Sequence, residues 1–306
     1  MSALLRFGFV VGILAAAGAE PLFAQAPKLK IRGGQPPRCA QIESLGRSFV
    51  PLAKVCQFVS SPSTLPNFIC TEKTQSFRHT LGSKYQYALH TFAADVSFDH
   101  GTVYYANVAI NGRPNSVLKK PLTYEELHAF YVMNPDLQRS IALFPHFWDE
   151  LFIVFAPKNG SAFEYRGEVA IDGLNLEVFG FEVKKRAGKR KWDKELDQHL
   201  PGIEIDWGKG PSTLAGAKGL IWIDKATSFI RRVVLHYTEI DRGFPIAAFS
   251  TSTNYSLTAV AGLGEFLLPS AGEDLSCDGD EHCWRGVYNF SNCRKFAAQS
   301  RIVPAH

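Results

Sequence analysis

The stretch AFEYRGEVAIDGLNLEVFGFEVKKR, residues 162–186, fixes the class of the fold. Apolar and polar residues alternate on both sides of Asp172-Gly173, a dipeptide that accepts the left-handed backbone of a two-residue hairpin turn. Two strands joined this tightly must run antiparallel, because a parallel pair needs a crossover of a dozen or more residues. The same language recurs along the chain. NFICTEKTQSF (67–77) alternates like a strand, and YALHTFAADVSFDHGTVYYANVAINGRP (87–114) holds two strands joined at FDHG and closed by Asn111-Gly112. PGIEIDW, AKGLIWIDKATSFIRRVVLHYTEI, AAFSTSTNYSLTAV, GEFLLPSAGE and the last long segment, GVYNFSNCRKFAAQSRIV (286–303), continue it. Ten or eleven strands in order, linked by short turns, predict a mainly β protein of α+β class. Its architecture is a large curved antiparallel sheet, or half-open β-barrel.

Two regions depart from period two. Residues 40–58 place Leu45, Phe49, Leu52, Val55 and Phe58 near helical spacing, with Pro51 set to kink or restart the helix. Residues 122–157 form a helical insert expected to cover the concave face of the sheet. Thr123 and Glu126 are spaced as a capping box, Asn134-Pro135 opens a second helix, and HFWDELFIVFA (146–156) makes a third. This third helix is apolar nearly all round, so it must be covered. Asp149 and Glu150 read as its one wet edge. A carboxyl on such a helix would also have the apolar setting that suits a general acid.

The amino-terminal 26 residues have the form of a signal peptide: Arg6, an apolar run over 7–19, then small residues ending in LFAQA. The run is too short to span a bilayer. Cleavage after Ala24 or Ala26 would give a periplasmic or secreted protein with no transmembrane segment. Residues 27–38 read as a flexible leader, 39–64 as the helical segment, and 65–306 as a single half-barrel domain carrying the insert.

Six cysteines in an exported chain point to disulfides. Cys39 and Cys56 bracket the first helical segment, Cys277 and Cys283 lie six apart in a polar loop, and Cys70 remains for Cys293. Zinc fits badly, since no C-x₂-C pair exists and only His282 adjoins a cysteine. Asp278, Asp280 and Glu281 could serve a calcium ion, but EF-type spacing is missing and a disulfide-closed loop is the simpler reading. No metal and no cofactor are expected.

A net charge of +4 spread over 306 residues gives little reason for a polyanionic partner, and no nucleic acid is expected. The dense basic run at 184–194, KKRAGKRKWDK, reads as a solvated hairpin tip. Catalysis finds few candidates. There is no G-x-S-x-G and no H-E-x-x-H, and nine histidines are scattered at strand ends and loops, so no catalytic residue is assigned. The aromatic residues say more. Phe147, Trp148, Leu151, Phe152 and Phe155 of the third helix, facing Phe163, Tyr165, Phe179 and Phe181 of the strands, would line an apolar layer. That layer is either a plain core or a cavity for an apolar ligand or lipid.

The order FICTEKT, helical insert, AFEYRGEVAIDG, GLIWIDKATSFIRRVVLHY, GEFLLPSAGE, FSNCRKF resembles a group of uncharacterised exported proteins known mostly from acidobacteria. The match spans about residues 66–302. That group is similar in turn to the LolA-like lipoprotein-carrier fold, through the G-x-I-W-I-D-x-x-T-x-x-I pattern at 219–230. Residues 184–217 are longer and more polar than a tight hairpin. The resemblance implies a half-open barrel whose apolar concave face is plugged by helices, and a non-enzymatic protein that holds a lipid or lipoprotein acyl chain there. The alternative is an envelope-associated structural or interaction module with a filled core and a protein partner.

Overall fold

The computed structural model describes residues 39–59, 67–80, 82–83, 86–99, 102–115, 120–123, 126–127, 149–155, 160–185, 203–206, 212–280 and 282–295. The expected signal peptide and leader, the helix after Asn134, Phe147, Trp148 and most of the basic run at 184–194 lie outside them.

Thirteen strands are present among the described residues: β1 (Phe68–Thr80), β2 (Tyr87–Asp99), β3 (Thr102–Ile110), β4 (Arg113–Pro114), β5 (Leu122–Thr123), β6 (Ala162–Ile171), β7 (Leu174–Val183), β8 (Ile203–Asp206), β9 (Ser212–Asp224), β10 (Ile230–Thr238), β11 (Ala248–Val260), β12 (Gly264–Cys277) and β13 (His282–Lys295). Neighbours are antiparallel, in the order β4-β3-β2-β1-β13-β12-β11-β10-β9-β7-β6, with β5 beside β3 and β8 beside β9. The path does not close, so the sheet is a large, open antiparallel one. The chain starts at its middle, runs out to β4, crosses to β6 at the far edge, and returns strand by strand until β13 lies against β1. Of the residues that make this crossing, Asp149–Phe155 pack against the core of the sheet.

The two-residue strands β4 and β5 are too short to read from a period-two pattern. The hairpin that opened the sequence reading forms as expected, with Ile171 opposite Leu174 and both Asp172 and Gly173 at positive φ. In β10 the mixed faces of the sequence have a local cause. The register slips between Ile230 and Arg232 against β9. Past that slip, Val233 and Leu235 point inward beside Ile230, while Arg232 and His236 stay exposed. A bulge re-aims every later side chain of its strand, which no fixed period can capture.

Three described helices pack on the sheet: α1 (Cys39–Glu43), α2 (Val50–Val59), reached through a 3₁₀ turn at Arg47–Phe49, and α3 (Asp149–Phe155). Pro51 sits in the first turn of α2, where its missing N–H costs nothing, so it restarts the helix rather than kinking it. The capping box also forms: Thr123 N–H donates to Glu126 Oε2 at 3.0 Å and Glu126 N–H to Thr123 Oγ1 at 3.3 Å. None of the described helices is long and apolar enough to cross a membrane.

Disulfides join Cys39 to Cys56, Cys70 to Cys293 and Cys277 to Cys283. The first clamps α1 to α2. The second crosses the β1–β13 seam, and the third closes the β12–β13 turn.

Candidate ligand-binding site

One apolar cluster runs from α2 and α3 across the inner face of the sheet. Leu151, Phe155, Phe163, Phe179 and Phe181 are buried in it, and Tyr165 packs at its margin. The rings meet in pairs: Phe155 stacks on Phe163 with centroids 5.7 Å apart, and Tyr165 stands edge-on to Phe179 at 5.5 Å. Phe49, at the entrance to α2, reaches Phe179 at 5.8 Å. Phe181 lies across Gly219, its register partner, where a Cβ would overlap the ring. Ser161 Oγ donates to the carbonyl of Val154 at 2.5 Å, tying the end of α3 to the start of β6. Phe147 and Trp148 fall outside the described residues, as does the side chain of Phe152.

The middle of the sheet is different, because its inner face turns polar across four strands. One row reads Thr74, Tyr288, Gly272, Thr253 through β1, β13, β12 and β11, and the next reads Ser76, Gly286, Asp274, Thr251. Glu72 precedes Thr74 on the same face of β1. Gly272 makes the first row workable. A Cβ there would overlap the Tyr288 hydroxyl and the Ser252 carbonyl, so only glycine lets the phenol lie along the sheet. Tyr288 OH then comes 2.7 Å from Thr253 Oγ1, which donates to Glu150 Oε1 of α3 at 2.5 Å. With the Thr253 hydrogen used on Glu150, the phenol is the donor to Thr253.

Glu150 is thus not part of a wet edge. Reading it from the sequence as solvent-facing was wrong: its residue is only 4% exposed, because α3 turns it down onto β11. Glu72 (0%) and Asp274 (2%) are buried with it. Thr74 Oγ1 donates to Glu72 Oε1 at 2.8 Å. Among the described residues, Glu72 Oε2, Glu150 Oε2 and Asp274 Oδ2 have no hydrogen-bond partner.

Three carboxyls without a counter-cation cannot all ionise in such a place. Burial pushes Glu72 from 4.5 up to about 7, against the pull of the Thr74 hydroxyl. Burial also raises Glu150, opposed chiefly by the Thr253 bond. Asp274 is held well above the ordinary carboxylate range by burial, with Glu72 and Glu150 adding to the effect and the N–H groups of Asp274 and Gly286 opposing it. The Tyr288 phenol is pushed up by burial and by the same three acids. The site is therefore a buried patch of hydroxyls and of carboxyls whose burial favours the protonated form, set in an apolar layer.

Two other acids shape turns. Asp278 Oδ1 accepts the N–H groups of Asp280 and His282 at 3.0 and 2.9 Å, which shapes the disulfide-closed turn. Asp224 lies buried beneath the β9–β10 turn; burial works against its ionisation, but Arg231 and the Ala226 N–H together hold its carboxyl below its usual value.

No protein-family model matches the chain, and no curated protein matches it significantly. Among solved structures, a DUF1329 family protein from Desulfovibrio piger superposes with a TM-score of 0.32 at 9% identity, covering 81% of this chain and 92% of that one. A LolA superfamily protein from Nitrosomonas europaea gives 0.28 at 8% identity, covering 80% and 93%. Likenesses this loose carry no argument about function.

Proposed function

We propose that the protein is an extracytoplasmic carrier that holds an apolar ligand, such as a lipid or a lipoprotein acyl chain, between the inner face of the sheet and the helices. The observation behind this reading is the make-up of that interior. Aromatic rings from α3, β6 and β7 pack together there, yet the same layer contains three carboxyl oxygens with no partner among the described residues. A core filled for stability alone would not leave buried polar atoms unpaired, since each costs about 1–3 kcal/mol. A binding face tolerates them, because a ligand supplies the missing contacts. Three disulfides agree with an oxidising compartment. No residue is proposed to do covalent chemistry.

The test is native mass spectrometry and lipid extraction of the full-length protein taken from a bacterial periplasm, with uptake of the uncharged probe N-phenylnaphthylamine measured by fluorescence. A bound apolar molecule, or saturable probe uptake, is the expected result. Finding no bound apolar molecule and no saturable uptake would overturn the reading.

One observation favours a second reading, the interaction module. Val169, Ile171 and Leu174 are exposed together around the turn of the β6–β7 hairpin, where β6 is the edge of the sheet among the described residues. An open edge with apolar side chains suits a protein partner.

A further inference from the structure

We propose that the Glu72, Glu150 and Asp274 patch is a headgroup subsite, and that the ligand it selects is an amphiphile with a nitrogen-cation head such as a guanidinium or a primary ammonium. The inference rests on the carrier reading above and adds the chemistry of the ligand's polar end.

Four observations lead there. First, each of the three acids comes from a different element, β1, α3 and β12, and each presents one oxygen with no partner among the described residues. Second, the hydroxyls around them bring no charge to balance these acids: Thr74 and Thr253 give their hydrogens to Glu72 and Glu150, Tyr288 gives its own to Thr253, and Thr251, with no partner among the described residues, is neutral. What the patch lacks is a positive charge, and a cationic nitrogen group brings one together with several donors. Third, the three carboxyls are not among the described groups whose oxygens converge within 4.8 Å, the spacing a single metal ion would need. A guanidinium, with donors on three nitrogens pointing apart, reaches more widely than a metal ion. Fourth, α3 carries both Glu150 of the patch and Phe155 of the apolar cluster, so an alkyl chain leaving the head would meet apolar side chains.

An anionic head has no place here, because it would add negative charge to a buried set of acids and bring no donor. A neutral hydroxyl brings a single donor. When the cation binds, at least one carboxyl ionises to balance it and its proton leaves to solvent. The groups that face one another and share this titration are Glu72 on β1, Tyr288 on β13, Asp274 on β12 and Glu150 on α3.

The experiment is calorimetric titration of the full-length protein at pH 7 with decylguanidinium, decanol and decanoate, each below its micelle-forming concentration, in two buffers of different ionisation enthalpy. Decylguanidinium should bind about tenfold or more tighter than decanol, the scale of one hydrogen bond to a charged group. Its heat should depend on the buffer, which reports the released proton. Glu150→Gln and Asp274→Asn copy the protonated acids in shape and should fold. They should bring decylguanidinium down to the affinity of decanol while leaving decanol unchanged. Equal binding of all three compounds, or a preference that survives in both variants, would overturn the subsite and leave the carrier intact. No binding of any of them, together with no probe uptake, would overturn both.

Discussion

Glu72 gives the sharpest prediction. Its carboxyl titrates near 7 in the folded chain against 4.5 when free. An acid raised in this way favours the folded state fully below pH 4.5, and that contribution is lost as pH rises from 4.5 through about 7. The gap of about 2.5 pH units corresponds to about 3 kcal/mol. Glutamine matches the protonated acid in shape but does not titrate. The difference in unfolding free energy between the native protein and Glu72→Gln should therefore change by about 3 kcal/mol between pH 4 and pH 8, in favour of the variant at the higher pH. Urea denaturation with the disulfides intact measures it, and with a slope near 3 kcal/mol/M the midpoints should drift apart by about 1 M. Parallel stability curves for the two proteins, with no drift across this range, would refute the burial argument for Glu72.

Two further predictions concern the frame around the site. Cys70→Ser or Cys293→Ser opens a loop closed across 223 residues, for which chain entropy gives about 5 kcal/mol. Each variant should melt at a lower temperature and show one thiol to a thiol reagent, while the native protein shows none. Gly272→Ala should cost about 1–3 kcal/mol by driving Tyr288 off Thr253, visible as a changed near-UV circular dichroism signal, and adding Tyr288→Phe to it should restore little, since the ring and not only the hydroxyl meets the new methyl.

The sheet was readable because short turns such as Asp172-Gly173 leave a chain of strands no parallel solution, and the aromatic pairing of Phe155 with Phe163 followed from a helix too apolar to face water. The polar patch was not read, although part of its signal was present. In CTEKTQS, Glu72, Thr74 and Ser76 share a phase with Phe68 and Cys70, and a cysteine destined for a buried bridge marks that phase as inward. Asp274 and Tyr288 gave less away: what makes them neighbours is the register of β12 on β13, with Gly272 beside Tyr288, and register is a long-range property that one strand's pattern does not carry. Glu150 needed the most, since its burial depends on how a crossing helix lands on β11. The bulge in β10 hid its faces for a simpler reason, a single slipped residue that reverses the phase.

The β1–β13 seam also sets an order of events. Residues 68–80 wait for residues 282–295 before the centre of the sheet exists, so a ribosome or a translocation channel releasing the chain from its first residue onward delivers the two ends of the interface last and first. Contacts of such separation slow folding. Until the seam closes, β1 and β12 each present a bare inner edge, and the patch that spans them is still split in two. The patch can assemble only after residues 282–295 have emerged, and the bond between Cys70 and Cys293 then keeps the late-arriving strand in place.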